Sequence, residues 1–345
     1  MLYKEACFNV PAFESAKGRQ TYANPVIPDF PDPCITFDHS SGYYYATRSY
    51  FGQDGVGICV CRGKTLTELP NESKVVFYTG EAVGLYNGVW ASEIHRIGEK
   101  WYIYGAASCH PTEDWPQRKM RTFVLESRSS DPFDGFEFAG VLGTDEAAID
   151  ATVFQCRNGK LYLCFSRCID QDRQKLMLQE MESPTKLKGE PVCIARATYP
   201  WELIPPYDGI QRINEGPFFI ENENRTFCVF SVNGCWVDEY SLGIMELVGD
   251  DPMNVSAWVK DDAPWFVAGN GMYAPGHASF FRGPDDKSLH IAYHAVLQHN
   301  PDDRPLPRHC CVQKVYFDST GFPHVGKPVP KGQPIPLPEG DPGRA

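Results

Sequence analysis

The sequence predicts an all-β fold, a five-bladed propeller with four antiparallel strands per blade, on three observations. An aromatic-rich strand recurs five times, and the aligned positions Tyr43, Trp101, Leu161, Phe227 and Leu289 are 58, 60, 66 and 62 residues apart. Each copy belongs to a hairpin that is followed by a third strand and usually by a fourth short apolar piece. Repetition of such a unit at a steady period is the mark of a propeller blade. No convincing amphipathic helix of twelve residues interrupts the series, which disfavours α/β folds.

Residues 1–23 carry no clear period and read as a peripheral strand or arm. The first unit opens with Cys34-Ile35-Thr36-Phe37, turns at His39-Ser40-Ser41-Gly42, returns through Tyr43-Tyr44-Tyr45 and continues from Gly57 to Cys61. The second is built on Lys100-Trp101-Tyr102-Ile103-Tyr104, then Thr122 to Glu126 and Phe136-Glu137-Phe138-Ala139. The third turns at Arg157-Asn158-Gly159, the fourth runs through Thr226-Phe227-Cys228-Val229-Phe230, and the fifth turns at Gly283-Pro284-Asp285-Asp286. Gly, Asn, Asp and Ser at these turns supply the chemistry a hairpin needs. Blades are expected over about 24–85, 86–145, 146–208, 209–270 and 271–330, in one catalytic domain spanning 1–345 with a Pro-rich tail from Pro328 to Pro342.

Composition narrows the function. Hydrophobic residues make up 42% of the chain and aromatics 13%, enough for a sizeable core rich in strand formers. A net charge of −12 argues against nucleic acid or an anionic membrane as partner, because both attract Lys and Arg. No window approaches the roughly 18 apolar residues of a membrane span, and the first residues show no secretory signal. Thirteen cysteines, an odd count that includes Cys59-x-Cys61 and Cys310-Cys311, point to buried thiols in a reducing, cytoplasmic compartment. A signal removed from the native protein would make it secreted instead.

Counting back 11 or 12 residues from each aligned position lands on Asp32, Trp90, Asp150, Glu215 and His277, at or near the start of each unit's first strand. The innermost strands of a propeller line its channel, so these five are expected to converge at one mouth. Three carboxylates there suit glycoside hydrolysis, which needs one protonated carboxylic acid and one ionised carboxylate. Asp32, between Pro31 and Pro33, is expected to be extended and ionised. Glu215, framed by Ile213 and Pro217-Phe218-Phe219, suits the acid, since apolar walls favour the neutral form. Asp150 is expected to tune and orient Glu215. Trp90 reads either as a face for a sugar ring or as a core indole, and His277 either as a metal ligand or as a buried, hydrogen-bonded histidine. His290 and His294 fall outside the mouth register and read as packing or supporting residues.

These segments resemble glycoside hydrolase family 43, five-bladed propellers that invert the anomeric centre. The likeness rests on Phe30-Pro31-Asp32-Pro33-Cys34-Ile35, Trp90-Ala91-Ser92-Glu93-Ile94-His95, Ile149-Asp150-Ala151, Asn214-Glu215-Gly216-Pro217 and Pro275-Gly276-His277, spread over about 24–320. It implies Asp32 as general base, Glu215 as general acid, Asp150 as modulator of the acid, and a metal ion, often calcium, beside His277. Within the family, Gly88-Val89-Trp90-Ala91 and the stretch from Cys235 to Gly243 look most like exo-acting α-L-arabinofuranosidases. Arg308 resembles an Arg that reaches the sugar in relatives. Ser92 stands where proline is usual, Ala278 where Asn is usual, and Cys311 where a second Arg is common. The substrate implied is an arabinose-containing oligo- or polysaccharide. A β-xylosidase or endo-arabinanase of the same fold, a retaining fructan-type enzyme and a non-catalytic sugar-binding propeller are the alternatives. No organic cofactor is implied.

Overall fold

The computed structural model describes residues 18–111, 120–143, 147–170, 173–204, 212–302 and 304–343. After a short edge strand β1 (Thr21–Ala23), the first sheet is β2 (Cys34–Asp38), β3 (Tyr43–Gly52), β4 (Gly55–Gly63) and β5 (Glu72–Tyr78). The second is β6 (Tyr86–Ile97), β7 (Lys100–Ser108), β8 (Met120–Ser127) and β9 (Phe136–Val141), and the third β10 (Ala148–Gln155), β11 (Leu161–Asp170), β12 (Arg173–Ser183) and β13 (Lys186–Arg196). The fourth holds β14 (Asn214–Asn222), β15 (Arg225–Val232), β16 (Ser241–Leu247) and β17 (Trp258–Lys260). The fifth holds β18 (Tyr273–Arg282), β19 (Leu289–Val296), β20 (His309–Phe317) and β21 (Pro323–His324). All five are antiparallel and in sequence order, the five-bladed propeller that the period implied. The helical pieces among the described residues are three-residue 3-10 turns.

Hydrophobic clusters form between neighbouring blades. Phe154, Tyr162 and Leu176 of the third pack with Phe219, Phe230 and Met245 of the fourth, and the rings of Phe154 and Phe219 stack with centroids 3.9 Å apart. Alternate residues of each strand therefore face the next blade, and the period-two pattern is buried on both faces. Polar side chains cross the same seams where a strand end needs a partner, as where Ser166 Oγ donates to the Asn214 carbonyl at 3.0 Å.

The ring closes through the chain ends. The fourth strand of the last blade, β21, pairs only with the far end of β20. The near end of β20 is met instead by residues 24–30, where Val26 and Ile27 bridge to Cys310 and Phe30 N–H donates to the Arg308 carbonyl at 2.9 Å. Asn24 makes the tightest join, with Nδ2 donating to the Val312 carbonyl at 3.0 Å and Oδ1 accepting Val312 N–H at 2.9 Å. The Pro-rich tail is part of this seam, since its β22 (Pro334–Pro336) pairs with β1. Proline suits an edge strand whose outer side needs no N–H.

Asn24→Ala would leave the buried Val312 N–H without its partner, while the Val312 carbonyl keeps the Tyr22 hydroxyl at 3.0 Å, and is expected to lower stability by about 1 to 3 kcal/mol. The urea midpoint of the full chain reads this, and an unchanged midpoint would show that the ring closes without Asn24.

Candidate active site

One backbone device recurs at the mouth of every blade. In β6, β10, β14 and β18 the ladder skips a residue: Trp90 and Glu93 oppose Ala106 and Tyr104, Ile149 and Thr152 oppose Ser166 and Cys164, Glu215 and Phe218 oppose Ser231 and Val229, and Gly276 and Ser279 oppose His294 and Ala292. Between these pairs two residues thus face one, which is a β-bulge. Each bulge contains a residue in the left-handed region, Ala91 at φ 42°, Asp150 at 54°, Gly216 at 51° and His277 at 46°, and Asp32 ahead of β2 adopts the same conformation at 51°. A non-glycine residue held there costs on the order of 1–3 kcal/mol, so four of them at equivalent places, with Gly216 as the fifth, mark a site that the surrounding ring enforces.

The bulges correct two expectations. Asp32 is left-handed rather than extended: the proline restriction yields to tertiary contacts, and Asp is among the residues that tolerate this region. The five mouth residues also do not share one backbone position. Asp32, Asp150 and His277 are the left-handed residues, whereas Trp90 and Glu215 each precede one. Turn lengths differ between hairpins, so counting back from the second strand carries a one-residue error. The side chains still converge, because a bulge turns neighbouring residues toward the same side.

Asp32, Asp150, Glu215 and His277 meet at this mouth. Atoms of Asp150, Glu215 and His277 able to bind a metal all lie within 4.8 Å of one another. His277 Nδ1 is 3.4 Å from Asp32 Oδ1. Asp150, 4% exposed, accepts Gly216 N–H on Oδ2 at 3.1 Å and so fixes the peptide that follows Glu215. Gly216 has no substitute here: besides its φ, a Cβ would lie 3.2 Å from the His277 ring. Trp90 is partly buried and packs with Cys168 against Ala106, Met120 and Ile149, the neighbour of Asp150.

Arg308 does not stand apart from the acids; its Nη1 donates to Asp32 Oδ1 at 2.6 Å. The contact follows from ring closure, because the backbone bond from Phe30 to Arg308 lays the two segments side by side. Burial alone would raise the Asp32 pKa, but Arg308 and His277 outweigh it and hold the carboxyl far below the usual range. Glu215 goes the other way. Burial and the charge of Asp32 raise it to about 7, against a hydrogen bond from Tyr240 and the charge of Arg308. Asp150 is also raised to about 7, by burial first, with His277 opposing and Glu215 and Asp32 adding.

Two supporting residues complete the site. Tyr240 was not singled out from the sequence; it is fully buried, and its hydroxyl donates to Glu215 Oε1 at 2.9 Å. Its available signal was Gly276, where a Cβ would overlap the Tyr240 ring. His294, read as a packing or supporting residue, stacks on Tyr240 with centroids 5.3 Å apart and places Nδ1 3.3 Å from both the backbone nitrogen and Oδ1 of Asp32. One nitrogen cannot serve both. A proton on Nδ1 gives the carboxylate a charge-assisted bond and is the stronger arrangement. Burial lowers the His294 pKa to about 4, so the ring is neutral.

The model for "Glycosyl hydrolases family 43" matches residues 22–323. The extracellular exo-α-(1→5)-L-arabinofuranosidase of Streptomyces avermitilis is 31% identical over 324 residues, 90% of this chain and 64% of its own length. The α-L-arabinofuranosidase 43 of Humicola insolens is 31% identical over 329 residues, 92% of this chain and 65% of its own. The chain thus spans just under two thirds of these relatives. The crystal structure of α-L-arabinofuranosidase from Lactobacillus brevis superposes with a TM-score of 0.78 at 29% identity, covering 90% of this chain and 98% of that one.

A carboxyl whose folded pKa is raised stabilises the fold fully below its unfolded pKa, and that contribution is lost as pH rises through the folded value. For Glu215 the window runs from about 4.5 to about 7. Glu215→Gln is therefore expected to match the parent in thermal stability at pH 4 and to exceed it by about 1–3 kcal/mol at pH 8, the range allowing for partial exposure of the side chain. Equal melting curves at both pH values would show that the carboxyl is not strained by burial.

Proposed function

The chain belongs to glycosyl hydrolase family 43, and we propose that it is an exo-acting α-L-arabinofuranosidase, removing arabinofuranosyl residues from arabinan, arabinoxylan or their oligosaccharides with inversion. The observation that carries this reading is the opposite tuning of two carboxyls at one mouth, Asp32 kept ionised and Glu215 kept protonated up to about pH 7. The names of the relatives supply the arabinose.

In this reading Asp32 takes a proton from water as the water attacks the anomeric carbon. Glu215 gives its proton to the departing glycosidic oxygen, and Tyr240 holds the acid's other oxygen. Inversion requires the two carboxyl groups about 6.5–9.5 Å apart, leaving room for the water. Asp150 acts chiefly by position, through the Gly216 N–H, because the charge that raises Glu215 is that of Asp32. Arg308 commits Nη1 to Asp32 and offers its remaining N–H groups to a sugar hydroxyl. Trp90 offers its face to the ring.

Calcium beside His277 finds little to hold it. The ion prefers six to eight oxygen ligands, and the group of Asp150, Glu215 and His277 supplies one nitrogen and two carboxyls, well short of that number. These residues do not fit a calcium cage, and no step is assigned to a metal. Dialysis against EDTA is expected to leave turnover unchanged; loss that calcium restores would show that water completes a site on His277.

No helix among the described residues is long and apolar enough to cross a membrane. Among the described residues twelve cysteines are free thiols, which supports a reducing compartment, although a relative is named extracellular.

Asp32→Asn should abolish turnover of every arabinofuranoside. Glu215→Gln should lose about 10²- to 10⁴-fold in kcat/KM on an arabino-oligosaccharide, the share of general acid catalysis, and far less on an activated aryl arabinofuranoside. Proton NMR of the parent reaction reads the anomer released first. Reversed leaving-group dependence would exchange the two roles, and a retained anomer would overturn the role of Asp32 as base.

A further inference from the structure

The β3–β4 hairpin overhangs the mouth. Cys34, the first residue of β2, pairs with Thr47, so Arg48 to Gly52 run on past the inner strand for five residues, about 16 Å at strand rise. The overhang is built rather than loose. Both Tyr50 and Tyr78 donate to the Asp54 carboxylate at 2.6 Å, and their rings meet edge to face at 6.2 Å. Gly52 must be bare, since a Cβ there would overlap the Tyr50 hydroxyl. Ser49 Oγ donates to the Val89 carbonyl and docks the hairpin on the strand that carries Trp90.

That scaffold presents Phe51 to solvent. Its side chain alternates to the face opposite Tyr50 and is 68% exposed, more than any other large hydrophobic residue described. It is directed over Gly88: a Cβ on Gly88 would lie 3.5 Å from the Phe51 ring and 3.7 Å from Trp90 Nε1. One missing side chain therefore leaves a gap flanked by a phenyl group and an indole. Trp90 in turn packs on Ile149, the neighbour of Asp150, which ties the pair to the carboxyls. An isolated exposed phenyl needs no explanation, but one braced by a two-tyrosine clamp and contiguous with a pocket aromatic does.

We propose that Phe51 and Trp90 form a binding subsite for the sugar unit next to the one being released, the apolar face of that second furanose lying over Phe51 across Gly88. This rests on the glycosidase reading. The chemistry fits the occupant: a furanose has one face of C–H groups that gains by covering an aromatic ring, and hydroxyls at its edge that stay in water. Phe51, Gly88 and Trp90 are uncharged, as suits a neutral ligand.

The test is Phe51→Ala, with Phe51→Tyr as the conservative variant, assayed on an arabino-oligosaccharide and on an aryl arabinofuranoside. Phe51→Ala is expected to raise KM for the oligosaccharide about five- to thirty-fold with kcat little changed, as loss of roughly half an aromatic burial allows. The aryl substrate, whose small flat aglycone covers only part of that subsite, should lose several-fold less, and Phe51→Tyr should restore the parent KM. An unchanged oligosaccharide KM overturns the subsite, as does equal loss on both substrates, which would mark a purely structural role. A change in sedimentation on Phe51→Ala would assign the phenyl to contact with a second copy and overturn it too. If the parent does not turn over the aryl substrate, the glycosidase reading itself fails and the subsite with it.

Discussion

The structure depends on one backbone constraint, a left-handed residue at the mouth end of each inner strand. An antiparallel ladder alternates side chains between its faces and cannot by itself send consecutive residues to one point. The bulge breaks that alternation, so that Glu215 and the residues on either side of the ring can meet. The constraint is local, while the force that maintains it is not. Gly216 is packed by the ring of His277, Asp150 reaches across a blade boundary to the Gly216 amide, and His277 N–H donates to Ser231 Oγ at 2.8 Å. Each unusual torsion is secured by a neighbouring blade.

The same geometry separates the acids electrically. Asp32 lies at the ring closure, where Arg308 arrives on the backbone of the last blade, and its charge is matched by a fixed guanidinium. Glu215 is one blade removed from that cation and receives a neutral phenol instead. Two carboxyls in one cavity thus differ because one was given a permanent partner and the other a hydroxyl. His294 and Tyr240, stacked ring on ring, connect the two halves, one touching Asp32 and the other Glu215.

The fold was legible because a strand rich in Tyr, Phe and Trp is conspicuous and its period survives variable loops. The carboxyls were legible because burial of an acid among Ile, Pro and Phe is unusual. What could not be read was the torsion: proline on both sides of Asp32 argues for an extended residue, and only contacts with Arg308 and His294, distant in sequence, favour the other choice. The offset of Glu215 and Trp90 was hidden for a related reason, since a bulge adds a residue without changing composition. Tyr240 escaped because a tyrosine next to Asp238 and Glu239, just before a strand, carries no signal that it reaches a carboxyl, and its packing partner, Gly276, lies on another blade. A run of prolines reads as loose chain, yet Pro334–Pro336 is a paired edge strand.

The seam between first and last blades has a topological consequence. Because β1 and β22 lie against one another, the two ends of the described chain are neighbours in space, and the five sheets contact chiefly those on either side, as in other repeat architectures. Such a ring has no intrinsic first member. Within the described ring the order of blades depends only on where the circle is cut: a peptide joining β1 to β22, with new ends opened in a turn far from the mouth, would leave the cavity and its carboxyls in the same places while changing the order in which the blades leave the ribosome.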